Sequence, residues 1–127
     1  MKSIGEDLRT YLESSTGLQA GLEEVPVNVT TPFYNVRSYP GPEMSGSMGI
    51  PNSIDDQVFM IDVVGSSMDQ VDRATQRMIY SLRTFHSVTT GVMGPPMLRR
   101  NGIGREDDRT YRGMVVATIS VTETEEV

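Results

Sequence analysis

The side chains that could carry out chemistry are few and widely spaced in this sequence. His86 is the only histidine, and there is no cysteine. No nucleophile elbow, phosphate-binding loop or dinucleotide-binding glycine pattern accompanies His86, so acyl transfer and nucleotide chemistry would each lack essential groups. The expectation is therefore a protein without catalytic activity.

Two other segments have the composition of ligand sites. Asp55, Asp56 and Asp62 carry the oxygen ligands that hard cations prefer, but adjacent strand residues point to opposite faces, and Asp62 shares a face only with Asp56. Gly65-Ser66-Ser67 precedes a predicted helix, whose N-terminus can hold an anion. A tight turn followed by a helix cap accounts for the same three residues. The sequence thus predicts no metal site and no cofactor.

Arginines cluster near the carboxyl-terminal end of a chain that is acidic as a whole. The 17 acidic and 11 basic residues give a formal charge of −6, which disfavours general attraction to nucleic acids or anionic membranes. The local cluster is either a self-neutralising exposed hairpin, since three acids interleave with it, or a surface for nucleic acid or a partner. The arginines are Arg99, Arg100, Arg105, Arg109 and Arg112, and the interleaved acids are Glu106, Asp107 and Asp108.

A central strand and helix must position these groups. Residues 57–64 have the composition of a strand with one wholly apolar face. After the glycine-serine turn, Ser67 or Asp69 can cap a helix that begins near residue 67. An apolar stripe at helical spacing should pack on the apolar face of the strand. The stripe consists of Val71, Ala74, Thr75, Met78 and Leu82, and the strand face of Phe59, Ile61 and Val63.

The remaining elements complete an α+β pattern. Periodicity predicts a helix over residues 3–15, capped by Ser3, and a strand just after Pro32. Val25, Val27 and Val29 alternate as in a short strand or an extended linker. A final strand spans 111–121, with 97–103 as its hairpin partner, 104–109 as a polar tip and 122–127 as an acidic tail. The prediction is one domain over residues 1–127, in the order helix-strand-strand-helix-strand-strand, with helices on one face of an antiparallel or mixed sheet.

A long loop is predicted over residues 40–54. Its sequence, from Tyr39 to Ser53, has three prolines and three glycines with almost no periodicity. Long loops of this kind either bind something or are disordered. Met44, Met48 and Ile50 are apolar and lie where the segment cannot readily bury them, so the loop is either a surface loop or a contact arm against another subunit.

The order of these segments resembles the tail terminator proteins of long-tailed bacteriophages. The resemblance extends over essentially the whole chain and depends on the strand TPFYNVRSY, the strand-turn-helix segment DDQVFMIDVVGSSMDQVDRATQRMIYSLR and the closing hairpin MLRRNGIGREDDRTYRGMVVATISV. It implies a virion protein, assembled in the host cytoplasm, that forms a ring, expected to be a hexamer. Such a ring caps the head-proximal end of the tail tube, stops tube polymerisation and presents the attachment surface for the head connector.

The resemblance gives the candidate site residues a structural interpretation. The expected partners are other copies of the chain, the major tail tube protein and a head-completion protein, while DNA passes through the lumen without specific binding. Another neck or connector protein, and a small hydrolase or ligand-binding domain, are the alternatives. The hypothesised interface residues are Met44, Met48, Ile50, Arg99, Arg100, Arg105 and Arg109. The hypothesised lumen-facing acids are Asp55, Asp56, Glu106, Asp107 and Asp108.

Overall fold

In the part of the chain that the structure describes, five strands form one mixed sheet, and two helices pack on the same face of it. The computed structural model describes residues 4–25, 29–38, 54–85 and 96–122. This architecture confirms the predicted α+β class. The elements are α1 (Ile4–Thr16), β1 (Ala20–Leu22), β2 (Phe33–Ser38), β3 (Ile54–Gly65), α2 (Met68–Leu82), β4 (Met97–Asp107) and β5 (Thr110–Thr122).

The sheet has the strand order β1-β2-β3-β5-β4. β1 runs parallel to β2, and the other neighbouring strands are antiparallel. β3 lies at the centre and pairs with β5 along its whole length, from Ile54 opposite Thr122 to Gly65 opposite Tyr111. β1 and β4 are therefore the two lateral edges of the described sheet.

The core forms where the α2 stripe meets the sheet, as the sequence pattern predicts. Every residue of the predicted stripe is at least 97% buried, and Phe59, Ile61 and Val63 of β3 are buried beneath it. Val115, Ala117 and Ile119 of β5 extend the same apolar face. Since alternate strand residues share a face, β3 and β5 place their odd-numbered side chains toward the helices.

Side-chain hydrogen bonds hold the helices to the sheet and to each other. The Tyr34 hydroxyl on β2 donates to the Ala74 carbonyl oxygen of α2 at 2.6 Å. Burial raises the pKa of Tyr34 to about 12, although the Arg77 charge and a hydrogen bond with Thr16 oppose the rise. The Tyr11 hydroxyl of α1 donates to the Ser81 carbonyl oxygen at 2.9 Å, which holds the two helices side by side.

Local signals set the ends of the helices. α1 ends at Thr16, where Gly17 adopts a positive φ of 77° and donates to the Glu13 carbonyl oxygen at 3.1 Å. This is the glycine-terminated helix end that relieves the last unpaired carbonyls. α2 begins after Ser67, whose hydroxyl accepts from the Gln70 amide at 3.1 Å. Of the two predicted caps, Ser67 is the one used. The cap predicted at Ser3 for α1 lies outside the described residues.

The predicted boundaries were wrong in the outer strands. β1, which the sequence pattern did not predict, exists because Ala20–Leu22 pairs with β2, whereas Val25 and Val29 lie outside any strand. The hairpin tip predicted at 104–109 is only a two-residue turn at 108–109, because β4 continues to Asp107. The pairing register shifts between Asn101 and Gly104 and again between Arg105 and Asp107, and at each shift β4 has one residue more than β5. A bulge accommodates glycine as readily as a turn does.

Two smaller differences concern the flanks of the central pair. Ile54 is the first residue of β3, so the strand begins inside the predicted 40–54 loop. Thr122, placed in the predicted acidic tail, is the last residue of β5. Both strands extend beyond the segments in which apolar and polar residues alternate. They do so because each additional residue of one strand pairs with a residue of the other.

Candidate interaction surfaces

A network of charged side chains occupies the face of the sheet opposite the helices. Asp62 lies in the middle of β3 and is only 2% exposed. Its carboxylate accepts two hydrogen bonds from Arg37, at 2.8 Å from Nε and 3.0 Å from Nη2. Nη1 of Arg112 lies 3.2 Å from the same carboxylate. The two arginines come from β2 and β5, so the network connects three strands.

Strand register explains why these side chains meet. Asp62 pairs with Asn35 on one side and with Met114 on the other. Arg37 and Arg112 are each two residues from those partners and lie on the same face, within reach of long side chains. Arg112 also contacts the Glu106 carboxylate at 3.3 Å. Because two carboxylates balance two guanidinium groups, the network is neutral and does not form a strongly anionic or cationic site.

A shallow cavity of about 600 Å³ opens beside this network. Asn35 is 7% exposed. Its Oδ1 and the Nε of Arg112 are buried and have no hydrogen-bond partner among the described residues. These two buried groups, one acceptor and one donor, belong to residues that line the cavity. Further lining residues include Arg37, Asp62, Asn101, Arg105 and Met114.

The structure separates the predicted arginine cluster instead of forming one basic patch. Arg100 lies on the helix side of β4 and forms an ion pair with Asp72 of α2. Arg105 pairs with Asp108 at 3.0 Å. Arg99 is exposed, and within the described parts of the chain it has no ion-pair partner. Arg109 is exposed in the turn between β4 and β5.

The predicted acidic residues occupy two regions of the sheet. Asp55 and Asp56 lie near the start of β3, where they pair with Val121 and Ser120 of β5. Glu106 and Asp107 belong to the end of β4, where Asp107 pairs with Thr110. The side chains of Asp55, Asp56 and Asp107 lie outside the description. Their proposed position along a lumen stays a prediction.

Other residues singled out in the sequence lie in undescribed segments. Met44, Met48 and Ile50 of the predicted loop, and His86, all fall outside the described residues. Among the side chains that the structure describes, no three of His, Cys, Asp or Glu group to hold a metal, and those of Asp55 and Asp56 are not among them. No described helix is long and apolar enough to cross a membrane.

The Gly65-Ser66-Ser67 turn satisfies its own polar groups. The side-chain Oε1 of Gln70 accepts from the backbone amide of Ser66 at 2.6 Å, while Ser67 Oγ accepts from the backbone amide of Gln70. A Cβ on Gly65 would meet a Val71 methyl group at 2.9 Å, so glycine is needed for the close approach of strand and helix. The turn thus functions as a capped strand-to-helix connection.

The Asp62 network is the feature that sequence reasoning missed. One signal was present: Arg37, Asp62 and Arg112 are single charges within otherwise strand-like segments. A charge at such a position needs a partner, because an isolated buried charge is costly. Periodicity does not say which strands are neighbours, so the partners could be identified only from the register.

Comparison with known proteins finds the fold but no sequence family. No protein-family model matches the chain, and no curated protein matches it. Among solved structures, the chain is similar to a chain from the virion of a native gene transfer agent (GTA) particle, with a TM-score of 0.61 and 13% identity. The match covers 94% of this chain and 95% of the other. At this identity the likeness shows a shared fold over nearly the full length of both chains.

Proposed function

We propose that this chain is a structural protein of a phage-like virion, and specifically a tail terminator without catalytic activity. The observation that supports it most is the fold match to a GTA virion chain, which includes nearly all of both chains. The resemblance of the sequence segments to those of tail terminator proteins is the second support. In this role, a ring of copies caps the head-proximal end of the tail tube and offers a surface to the head connector.

The described surface has features that suit such a subunit. A closed ring needs a heterologous interface, in which one surface of each copy meets a different surface of the next. The sheet has two unlike edges, a three-residue strand at one side and an eleven-residue strand at the other. The cavity on the helix-free face is a further surface, available for tube or connector protein.

The acids proposed to line the lumen are expected to repel the phosphates of passing DNA. Glu106 and Asp108 each have an arginine partner, which reduces the net charge that they contribute. Asp55, Asp56 and Asp107 would then supply most of the lumen charge. A reconstruction of the assembled ring tests this point, and a lumen lined mainly by arginine would refute it.

The principal experiment measures assembly and tube binding together. The purified chain is analysed by native mass spectrometry, then mixed with tail tubes and imaged by electron microscopy. A ring in solution, or density on one end of each tube, supports the terminator role. A chain that remains monomeric and never binds tube ends would exclude it. Binding to a head connector without binding to tubes would instead identify another neck protein.

The predicted loop gives a second, independent test. Replacing Met44, Met48 and Ile50 together with serine should weaken assembly and leave the fold intact, because apolar anchors contribute much of an interface's stability. Circular dichroism verifies the fold and native mass spectrometry measures assembly. Arg73→Ala, on the exposed side of α2, is the control variant. Normal assembly of the triple variant would show that the loop is not a contact arm.

A further inference from the structure

Almost all charged side chains with described surroundings have a partner, and the exceptions lie at informative places. Among the charged side chains that the structure describes, which leave out those of Asp55, Asp56 and Asp107, only Glu24, Arg83 and Arg99 have neither a hydrogen bond nor an ion pair. Glu24 follows β1, and Arg99 belongs to β4. Because β1 and β4 are the opposite edges of the sheet, one unpaired negative and one unpaired positive charge lie at its two sides.

Each of these two charges has an exposed apolar neighbour. Val25, next to Glu24, is 53% exposed, and Met97, two residues before Arg99 on the same face of β4, is 77% exposed. Large apolar side chains with this exposure are uncommon on the described surface, where Met68 and Tyr80 of α2 are the other examples. Each edge therefore has one exposed apolar side chain beside one unpaired charge, and the two charges have opposite signs.

We propose that the β1 edge of one copy of this chain, at Glu24 and Val25, binds the β4 edge of the next copy, at Met97 and Arg99. The contact is heterologous, so repetition of the same step around an axis generates a ring. The apolar pair supplies the buried area, while the ion pair fixes the register and rejects an edge of the same sign. This inference rests on the proposed ring function and identifies the contact that closes the ring.

A charge exchange tests the pairing directly. Glu24→Arg and Arg99→Glu each place like charges across the contact, so each should weaken association by roughly tenfold. The double variant carrying both changes restores opposite charges and should recover most of the association. Arg83→Glu is the matched control, because it alters the third unpaired charge by the same amount at the end of α2 and outside the proposed contact. Sedimentation velocity over a concentration series measures all four variants.

Cysteine cross-linking gives a second measurement that does not depend on the charge variants. The chain has no native cysteine, so introduced thiols report only the chosen contact. Val25→Cys mixed with Met97→Cys should give a covalent dimer on oxidation, and the chain carrying both changes should give a ladder of multimers. Neither single variant should form a dimer by itself. A dimer of Met97→Cys alone would indicate a two-fold contact and overturn the inference.

The outcomes separate this inference from the proposed function. If the wild-type chain forms rings but the charge exchange has no effect and no mixed dimer forms, the edge pairing is wrong and the ring proposal stands. If single variants dissociate and the double variant stays equally weak, the two edges are not partners. If the wild-type chain remains monomeric at every concentration and on tube ends, the edge pairing and the ring proposal are both wrong.

Discussion

Replacing the central carboxylate of the helix-free face should destabilise the fold without changing its shape. Asp62→Asn keeps the size of the side chain and one acceptor oxygen, but it removes the negative charge between Arg37 and Arg112. It also directs amide hydrogens toward guanidinium hydrogens. Two cationic side chains then lie together with only Glu106 to balance them.

The expected loss is about 2 kcal/mol. Removing one partner of a buried ion pair typically costs about 3–5 kcal/mol when the remaining charge stays buried. Arg37 and Arg112 keep 37% and 41% of their side-chain exposure, so water can solvate them in the variant. A hydrogen bond to a charged group contributes about 1.5–3 kcal/mol. The expected loss of stability is therefore smaller than for a fully buried ion pair and well above the loss for a surface pair.

Urea denaturation followed by circular dichroism measures this difference. The midpoint should fall while the slope stays constant, because the same surface is exposed on unfolding. All variants are compared at one protein concentration, since assembly stabilises the folded chain. Asp69→Asn is the matched control, because its ion pair with Arg73 is largely exposed. That control should change the stability by less than about 0.5 kcal/mol.

Two results would contradict the reasoning about Asp62. A loss in Asp62→Asn no larger than in Asp69→Asn would mean that the network contributes only as much as a surface pair. In addition, Arg37→Gln should cost less in the Asp62→Asn background than in the wild type, because its partner charge is already gone. Equal costs in both backgrounds would show that Arg37 and Asp62 are not energetically coupled.

Three further changes test the core and the central turn. Tyr34→Phe should cost about 1 kcal/mol of stability at pH 7, because the hydrogen bond to Ala74 is lost. Burial raises the pKa of Tyr34 from 10.0 to about 12, so the wild type should lose stability as the pH rises from 10 toward 12. Chemical denaturation over this pH range should show a weaker loss in the variant. Gly65→Ala should cost about 1–3 kcal/mol by overpacking, whereas Gly104→Ala, with open space around its Cβ, should melt close to the wild type. Ser67→Ala should cost about 1 kcal/mol by removing the α2 cap, and a threonine at this position should retain most of it in the same melting assay.

Strong local signals explain what could be predicted from the sequence. The α2 stripe keeps the helical period over about three turns, and Ser67 marks the start of the helix, so the helix and its buried face follow from neighbouring residues alone. β5 has an equally clear alternation. The outer strands have weaker signals. β1 has three residues and depends on β2 for its existence, while the glycines of β4 are equally compatible with a turn and with a bulge.

The candidate surfaces depended on information that local patterns do not contain. Arg99, Arg100 and Arg105 are close in sequence, yet one pairs with a helix, one with the turn and one with neither. Their separation follows from strand alternation combined with the bulges. Glu24 and Arg99 become candidate contact residues only because the strand order places them at opposite edges. Sequence patterns do not show this, since pairing between distant segments is set by the whole sheet.

The Asp62 network also affects how long the folded chain persists. Arg37 and Asp62 are 25 residues apart in sequence, and Arg112 is more distant still. Such contacts are expected to close late in folding, after the three strands have aligned, so their loss should act on the unfolding rate. We expect Asp62→Asn to unfold roughly thirty-fold faster and to fold at nearly the same rate, as a stopped-flow chevron would measure. A slow unfolding rate protects a chain that must keep its shape long after synthesis.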